Sequence, residues 1–157
     1  MLQLVFSALA ASGLAAHRLE LEITESVLLE NTERTLATLR NLRELGVCIS
    51  MDDFGTGYSN LSNLRGFPFD KIKIDQSFIQ GLETDPQCVT IVRAIAAMGE
   101  GLGMTTTAEG VETSAQLEQL RALGVAEVQG YYVGRPAAAD RILQTLTRVA
   151  KGECAAA

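Results

Sequence analysis

Five times along this chain a short strand-like run is followed by a longer run with helical spacing, and that repeated order restricts the fold more than any other feature. The first run, residues 18–24, has period two: Leu19, Leu21 and Ile23 share one face, and Glu20, Glu22 and Thr24 the other. A helix is predicted over residues 32–45, capped by Asn31, striped by Leu36, Leu39 and Leu42, and stopped by Gly46. The next strands are predicted at 47–51, 71–74, 104–108 and 125–130. A Gly-rich loop, Phe54-Gly55-Thr56-Gly57-Tyr58, follows the second, with a short helical turn at 59–64. Asp85 before Pro86 marks a helix start and turns Val89, Val92, Ile95 and Ala96 inward. Thr113 with Gln116 reads as a capping box for a helix striped by Leu117, Leu120 and Leu123 and ended by Gly124. A last helix is expected at 140–149. Strands alternating with helices imply an α/β fold with a parallel sheet.

Length and composition fit one globular domain: 157 residues, 47% hydrophobic and 20% charged. A net charge of −6 argues against DNA or RNA as partner, because Lys and Arg hold a phosphate backbone. An anionic phosphate ester would need a bound metal to invert the local sign. Cys48, Cys88 and Cys154 are far apart and odd in number, which fits a reducing cytoplasm and neither a zinc site nor a disulfide framework. His17 is the single histidine, so a histidine-pair mechanism is excluded. The apolar stretch 2–16 has no Lys or Arg before it, unlike a signal peptide, and is too short to span a bilayer. It reads as a buried helix over 4–14, closed by Gly13, and no other segment suggests a membrane.

Polar residues with chemical potential sit at the ends of the strands: Glu22, Asp52 with Asp53, Lys73, Glu109 and Gln129. Period two groups Glu22 with Glu20 and Thr24, Asp52 with Ser50 and Cys48, Lys73 with Lys71 and Asp75, and Glu109 with Thr105 and Thr107. In a barrel, these faces would look inward and the apolar faces would pack on helices. Parallel barrels place their sites at the carboxyl ends of the strands. Carboxylates converging there would repel unless a cation joined them. Oxygen donors without His or Cys select Mg²⁺ or Mn²⁺. Adjacent Asp52 and Asp53 can serve two ions, an arrangement suited to in-line phosphoryl hydrolysis, while Lys73 can orient water or hold a phosphate oxygen. Taken singly, an acid at a strand end is often a helix cap and a barrel Lys often a salt-bridge partner. Such residues in register across five strands are harder to explain that way. The Gly-rich loop alone is compatible with a plain strand–helix turn, and it lacks the glycine spacing of a dinucleotide loop.

These residues lie in Leu21-Glu22-Ile23-Thr24-Glu25-Ser26, Asp52-Asp53-Phe54-Gly55-Thr56-Gly57, Lys71-Ile72-Lys73-Ile74-Asp75, Glu109-Gly110-Val111-Glu112 and Gln129-Gly130-Tyr131-Tyr132-Val133-Gly134-Arg135-Pro136. Their sequence and order resemble the EAL domain family over nearly the whole chain. The resemblance implies a TIM-like barrel and cleavage of one phosphodiester bond of cyclic di-GMP to linear pGpG with Mg²⁺ or Mn²⁺. It implies Glu22 and Asp52 as ligands of a first metal, and Asp52 and Asp53 at a second. Glu109 would be a ligand or base there, Lys73 would position water, and Gln129 would complete the site. Glu25 and Glu112 match positions that anchor the loop at 53–58 and link it to dimer contacts. Asp75 would touch the guanine end of the ligand, and Arg135 with Pro136 would close the last loop.

The chain departs from the family in having no Glu-Ala-Leu sequence. The expectation is therefore a partial EAL domain over residues 1–152, with about five of eight strand–helix units and a disordered tail at 153–157. Two metal ligands would be missing, two sheet edges open, and the chain inactive alone. A complementing N-terminal segment or a homodimer would be the partner of such edges. The alternative is a catalytically dead module that binds cyclic di-GMP or a protein.

Overall fold

The computed structural model describes residues 1–24, 33–57, 66–67 and 69–151. The expected cap Asn31, the helical turn at 59–64, Glu25, Tyr58 and the tail at 153–157 lie outside the described residues. The elements are α1 (Leu2–Ser12), β1 (Glu20–Thr24), α2 (Glu33–Glu44), β2 (Cys48–Phe54), β3 (Lys71–Ile74), α3 (Gln76–Gln80), α4 (Pro86–Leu102), β4 (Thr105–Ala108), α5 (Ser114–Ala122), β5 (Glu127–Val128) and α6 (Ile142–Ala150). The strands form a parallel sheet in the order β1-β2-β3-β4-β5. This is the expected α/β architecture, with β1 and β5 as the ends of the sheet among the described residues.

Contacts divide the chain into two compact units, residues 1–73 with 99–105 and residues 74–98 with 106–157. In the first, β1 pairs with β2 in the register Glu20↔Cys48, Glu22↔Ser50 and Thr24↔Asp52. The alternation read from the sequence is present: Leu21 and Ile23 are half-buried while Glu20, Glu22 and Thr24 are exposed. Leu39 and Leu42 of α2 are buried, as are Ile49 and Met51 of β2 and Ile72 of β3. Asp70 fixes the start of β3. Its Oδ2 accepts from the Ile49 amide at 2.9 Å, its own amide donates to Ile49 O at 2.8 Å, and Arg43 of α2 reaches its Oδ1 at 3.2 Å.

Several expectations need correction here. The N-terminal helix spans Leu2–Ser12 and none of its residues is buried; Leu4 is 75% and Phe6 58% exposed. Its sequence is apolar on all sides, but α2 meets it along one side, and an open groove of ≈ 620 Å³ lined by Leu2, Ile23, Thr38 and Leu39 runs beside it. Residues 16–18 form a 3₁₀ turn, so β1 begins at Glu20. β2 runs on through Asp52 and Asp53 to Phe54, because Phe54 is itself a core residue, 5% exposed. β5 shrinks to two residues, and α3 is an element the sequence reading lacked.

In the second unit the caps follow the sequence signals. Asp85 Oδ1 accepts from the Gln87 amide at 2.8 Å, and α4 buries Val92, Ile95 and Ala96. Thr113 and Gln116 form the capping box of α5. Gln116 is nearly buried and does more than cap: its Oε1 accepts from the Glu112 and Thr113 amides, and its Nε2 donates to Ile79 O. Gln116→Ala strips partners from these backbone groups and should cost about 2 kcal/mol, the upper range for a lost cap. Urea denaturation should show a lower midpoint with an unchanged slope. A midpoint equal to wild type would mean the box does not hold α5.

Candidate functional site

The strand order puts two spacings, about 10 Å, between the β1 and β3 backbones, with β2 between them. Glu and Lys side chains are long enough to span that gap if β2 carries small side chains on the same face. It does: Cys48 lies opposite Glu20, and buried Ser50 opposite Glu22. Two ion pairs cross above them. Lys71 Nζ meets Glu20 Oε2 at 2.9 Å, and Lys73 Nζ meets Glu22 Oε1 at 2.7 Å. Lys73 also donates to Asp52 Oδ1 at 2.9 Å. The Lys73 side chain is only 6% exposed, against 21% for Asp52 and 50% for Glu22.

The structure thus brings together three of the residues singled out from the sequence, at the carboxyl ends of parallel strands. A buried ammonium between two carboxylates is a charge-assisted arrangement of the strong kind. Asp53, next to it, has φ 55°, the single positive φ among the described non-glycine residues. Asp tolerates this conformation at a cost on the order of 1 kcal/mol. The bend ends the regular alternation of β2 between Asp52 and Phe54. Thr56 closes the following turn, donating from Oγ1 to Asp53 O at 2.9 Å.

The remaining sequence candidates lie in the second unit. Glu109 directly follows β4, is half-buried, and its amide donates to Ile74 O at 3.1 Å. Gln129 directly follows β5 and is exposed; its amide donates to Ala108 O at 2.8 Å. Its carbonyl accepts from the Val111 amide at 3.1 Å, and Tyr132 N then donates to Val111 O at 2.9 Å. Gly130 sits inside this clasp, where a Cβ would collide with the Val111 backbone. Gly110, at φ 71°, is likewise closed to a side chain, by Gln76. Gly130 lets the segment after β5 close on the segment after β4, and Gly110 lets the latter close on α3. Asp75 caps α3, its Oδ1 accepting from the Ser77 amide at 3.0 Å. Glu112 is exposed, and the Arg135 guanidinium lies 4.6 Å from the centre of the Tyr131 ring, before exposed Pro136.

Sequence reading missed three positions that set this geometry: Ser50, Asp70 and Gly130. The signal for Ser50 was its place between Cys48 and Asp52 on the polar face of β2. Asp70 carried no pattern, since its partners come from β2 and α2. Gly130 was visible within a motif, but not the backbone it approaches.

An open parallel α/β sheet with acids and a buried lysine at its strand ends is the arrangement of the barrel class of fold. The EAL domain model matches residues 1–136. The cyclic di-GMP phosphodiesterase NbdA of Pseudomonas aeruginosa is 49% identical over 129 residues, 82% of this chain and 16% of its own length. The EAL domain of Mycobacterium smegmatis DcpA superposes with a TM-score of 0.88 at 37% identity, covering 94% of this chain and 66% of that one. Klebsiella pneumoniae BlrP1, in a manganese and cyclic di-GMP complex, gives 0.79 at 36% identity, covering 86% and 34%. The chain belongs to the EAL domain family and presents part of such a domain. It spans 16–18% of the length of the first curated relatives it matches.

If Ser50 provides the clearance for the crossing ion pairs, enlarging it must break them. Ser50→Leu should destabilise the chain by about 3 kcal/mol through overpacking. Ser50→Ala, which loses only a bond to Leu21 O at 3.5 Å, should cost no more than about 0.5 kcal/mol. Denaturation midpoints of the two variants check the difference; equal losses would show that clearance is not what Ser50 provides.

Proposed function

We propose that this chain contributes the carboxyl-terminal strand ends of a metal-dependent phosphodiesterase site that hydrolyses cyclic di-GMP to linear pGpG. The observation that carries the reading is the Lys73 ammonium held between Glu22 and Asp52 at the ends of parallel strands. The activity of NbdA and the ligands of the BlrP1 complex support it.

The donor chemistry fits a divalent cation. Glu22 and Asp52 already share one positive group, and Asp53 and Glu109 would add further carboxylate oxygens, so the proposed donors are all oxygens. That set suits Mg²⁺ or Mn²⁺. Glu22 and Asp52 would hold one ion, Asp52 and Asp53 a second, with Glu109 as further ligand or as base. When bound, the ions would supply Lewis acidity and a nucleophile at neutral pH. Lys73 would donate to the attacking water, and Gln129 would offer its amide beside the reacting phosphate. Glu25 and Glu112 would anchor the loop at 53–58. Asp75 would meet a guanine, and Arg135 with Pro136 would close the last loop.

The 157 residues contain no Glu-Ala-Leu sequence, so we propose that a complementing segment supplies that strand and its metal ligand. Alone, the chain would turn over little substrate and would self-associate through the edges of β1 and β5. We place the reaction in the cytoplasm, in keeping with two unpaired thiols, Cys48 and Cys88. No helix among the described residues is long and apolar enough to cross a membrane.

Three measurements check this. Calorimetric titration of the chain alone should show Mn²⁺ binding much weaker than a Kd of about 1 μM. A dissociation constant that tight would contradict an incomplete ligand set. Chromatography should detect pGpG only when the amino-terminal part of an EAL domain is added together with Mn²⁺. In that complemented protein, Lys73→Ala should lower turnover by at least about 100-fold and ligand affinity by less than about 10-fold. Lost binding with unchanged turnover of the bound fraction would make Lys73 a ligand-holding group instead.

A further inference from the structure

Lys73 occupies a position that a role toward water or phosphate does not explain. Its ammonium points into the carboxylate pair, with Nζ 2.7 Å from Glu22 Oε1 and 2.9 Å from Asp52 Oδ1. Those two residues are the proposed ligands of one ion. A carboxylate oxygen binds Mg²⁺ or a similar ion at about 2.1 Å. An ammonium in hydrogen-bond contact with both ligands would then lie within a few ångströms of a divalent charge, on a side chain that is itself only 6% exposed. Such cations repel strongly where the effective dielectric is low.

We propose that Lys73 is the resident counter-cation of the metal-free site, holding Glu22 and Asp52 together until a divalent cation displaces it. Without any cation, the two carboxylates would repel each other and drift apart, since Glu22 is half-exposed and has a flexible stem. With Lys73 between them they stay near the geometry a metal needs. The four-carbon lysine stem lets the ammonium withdraw without moving β3. Withdrawal turns the same ammonium from the ligands toward the space where water and phosphate would sit. Metal loading and positioning of Lys73 are then one event, and neither occurs halfway. This inference rests on the metal-site reading above.

The test compares the wild-type chain with Lys73→Met, which keeps an unbranched side chain one atom shorter and removes its charge. Free Mn²⁺ is followed by electron paramagnetic resonance and stability by thermal melting. Lys73→Met should lower the melting temperature without metal and raise Mn²⁺ affinity by at least about 5-fold, a modest coupling between competing cations. Adding Glu22→Gln should lower the melting temperature of the wild type but raise that of Lys73→Met, because it removes an attraction in one and a repulsion in the other. Unchanged or weaker Mn²⁺ binding in Lys73→Met overturns the inference while leaving the metal site standing. Absence of Mn²⁺ binding to both proteins at about 10 mM removes the metal-site reading and the displacement with it. If Lys73→Met does not fold, the ¹⁵Nζ resonance of Lys73 in the wild type decides. It should shift as Mg²⁺ is added, and a resonance unmoved at saturation overturns the proposal.

Discussion

The contact on which the site depends is the Lys73 ammonium between Glu22 and Asp52, and this contact exists because β2 is narrow where the side chains cross it. Burying a lysine costs several kcal/mol of lost hydration, which its partners must offset. Here both partners come from other strands, so the ion group can form only when β1, β2 and β3 are in register. A shift of one residue would turn Glu22 and Lys73 to the opposite face and bring Ile23 and Ile72 inward. The ion group therefore specifies register as well as charge. Glu20 and Lys71 repeat the same crossing one rung away, over Cys48.

The second unit solves a different problem by backbone means. Its segments after β4 and β5 are irregular, yet they carry Glu109 and Gln129. Irregular backbone near a core must still find hydrogen-bond partners. The segments find them in each other, through Gln129 with Ala108 and Val111, and Val111 with Tyr132. Close approach is what makes this work, and Gly130 permits it by leaving out the side chain. Gln116 then satisfies the next two amides and reaches Ile79 O, so the positions of Glu112 and α5 are tied to α3.

Where the sequence was legible, the cause was local. The Asp85–Pro86 start, the Thr113–Gln116 box and the stops at Gly46 and Gly124 involve neighbours a few residues apart, and all are present. The strand-end order of Glu22, Asp52 and Lys73 was also legible, because period two and parallel topology put such residues on one face. The distances that join them were not, since Ser50 and Asp70 act on residues far along the chain. α1 was misread because hydrophobicity reports what a helix can bury, while burial needs neighbours, and here α2 lies along one side. α3 is short, and its one local signal is the Asp75 carboxylate that caps it. The extension of β2 to Phe54 was hidden by two charged residues, which look like a strand end until the buried Phe54 beyond them is seen.

Charge connects the two levels. The chain carries −6 overall, and the proposed substrate is a cyclic dinucleotide with two phosphodiesters, itself an anion. Lys73 does not make the strand ends attractive to it, because one ammonium shared by two carboxylates leaves a net negative group. Lys71 is committed to Glu20 in the same way. As it stands, the arrangement would repel that proposed substrate, and it would attract it only once divalent charge is added. A site built so would bind its anion after its metal, and carboxylates, ill suited by themselves to a phosphate ester, would set the order of binding.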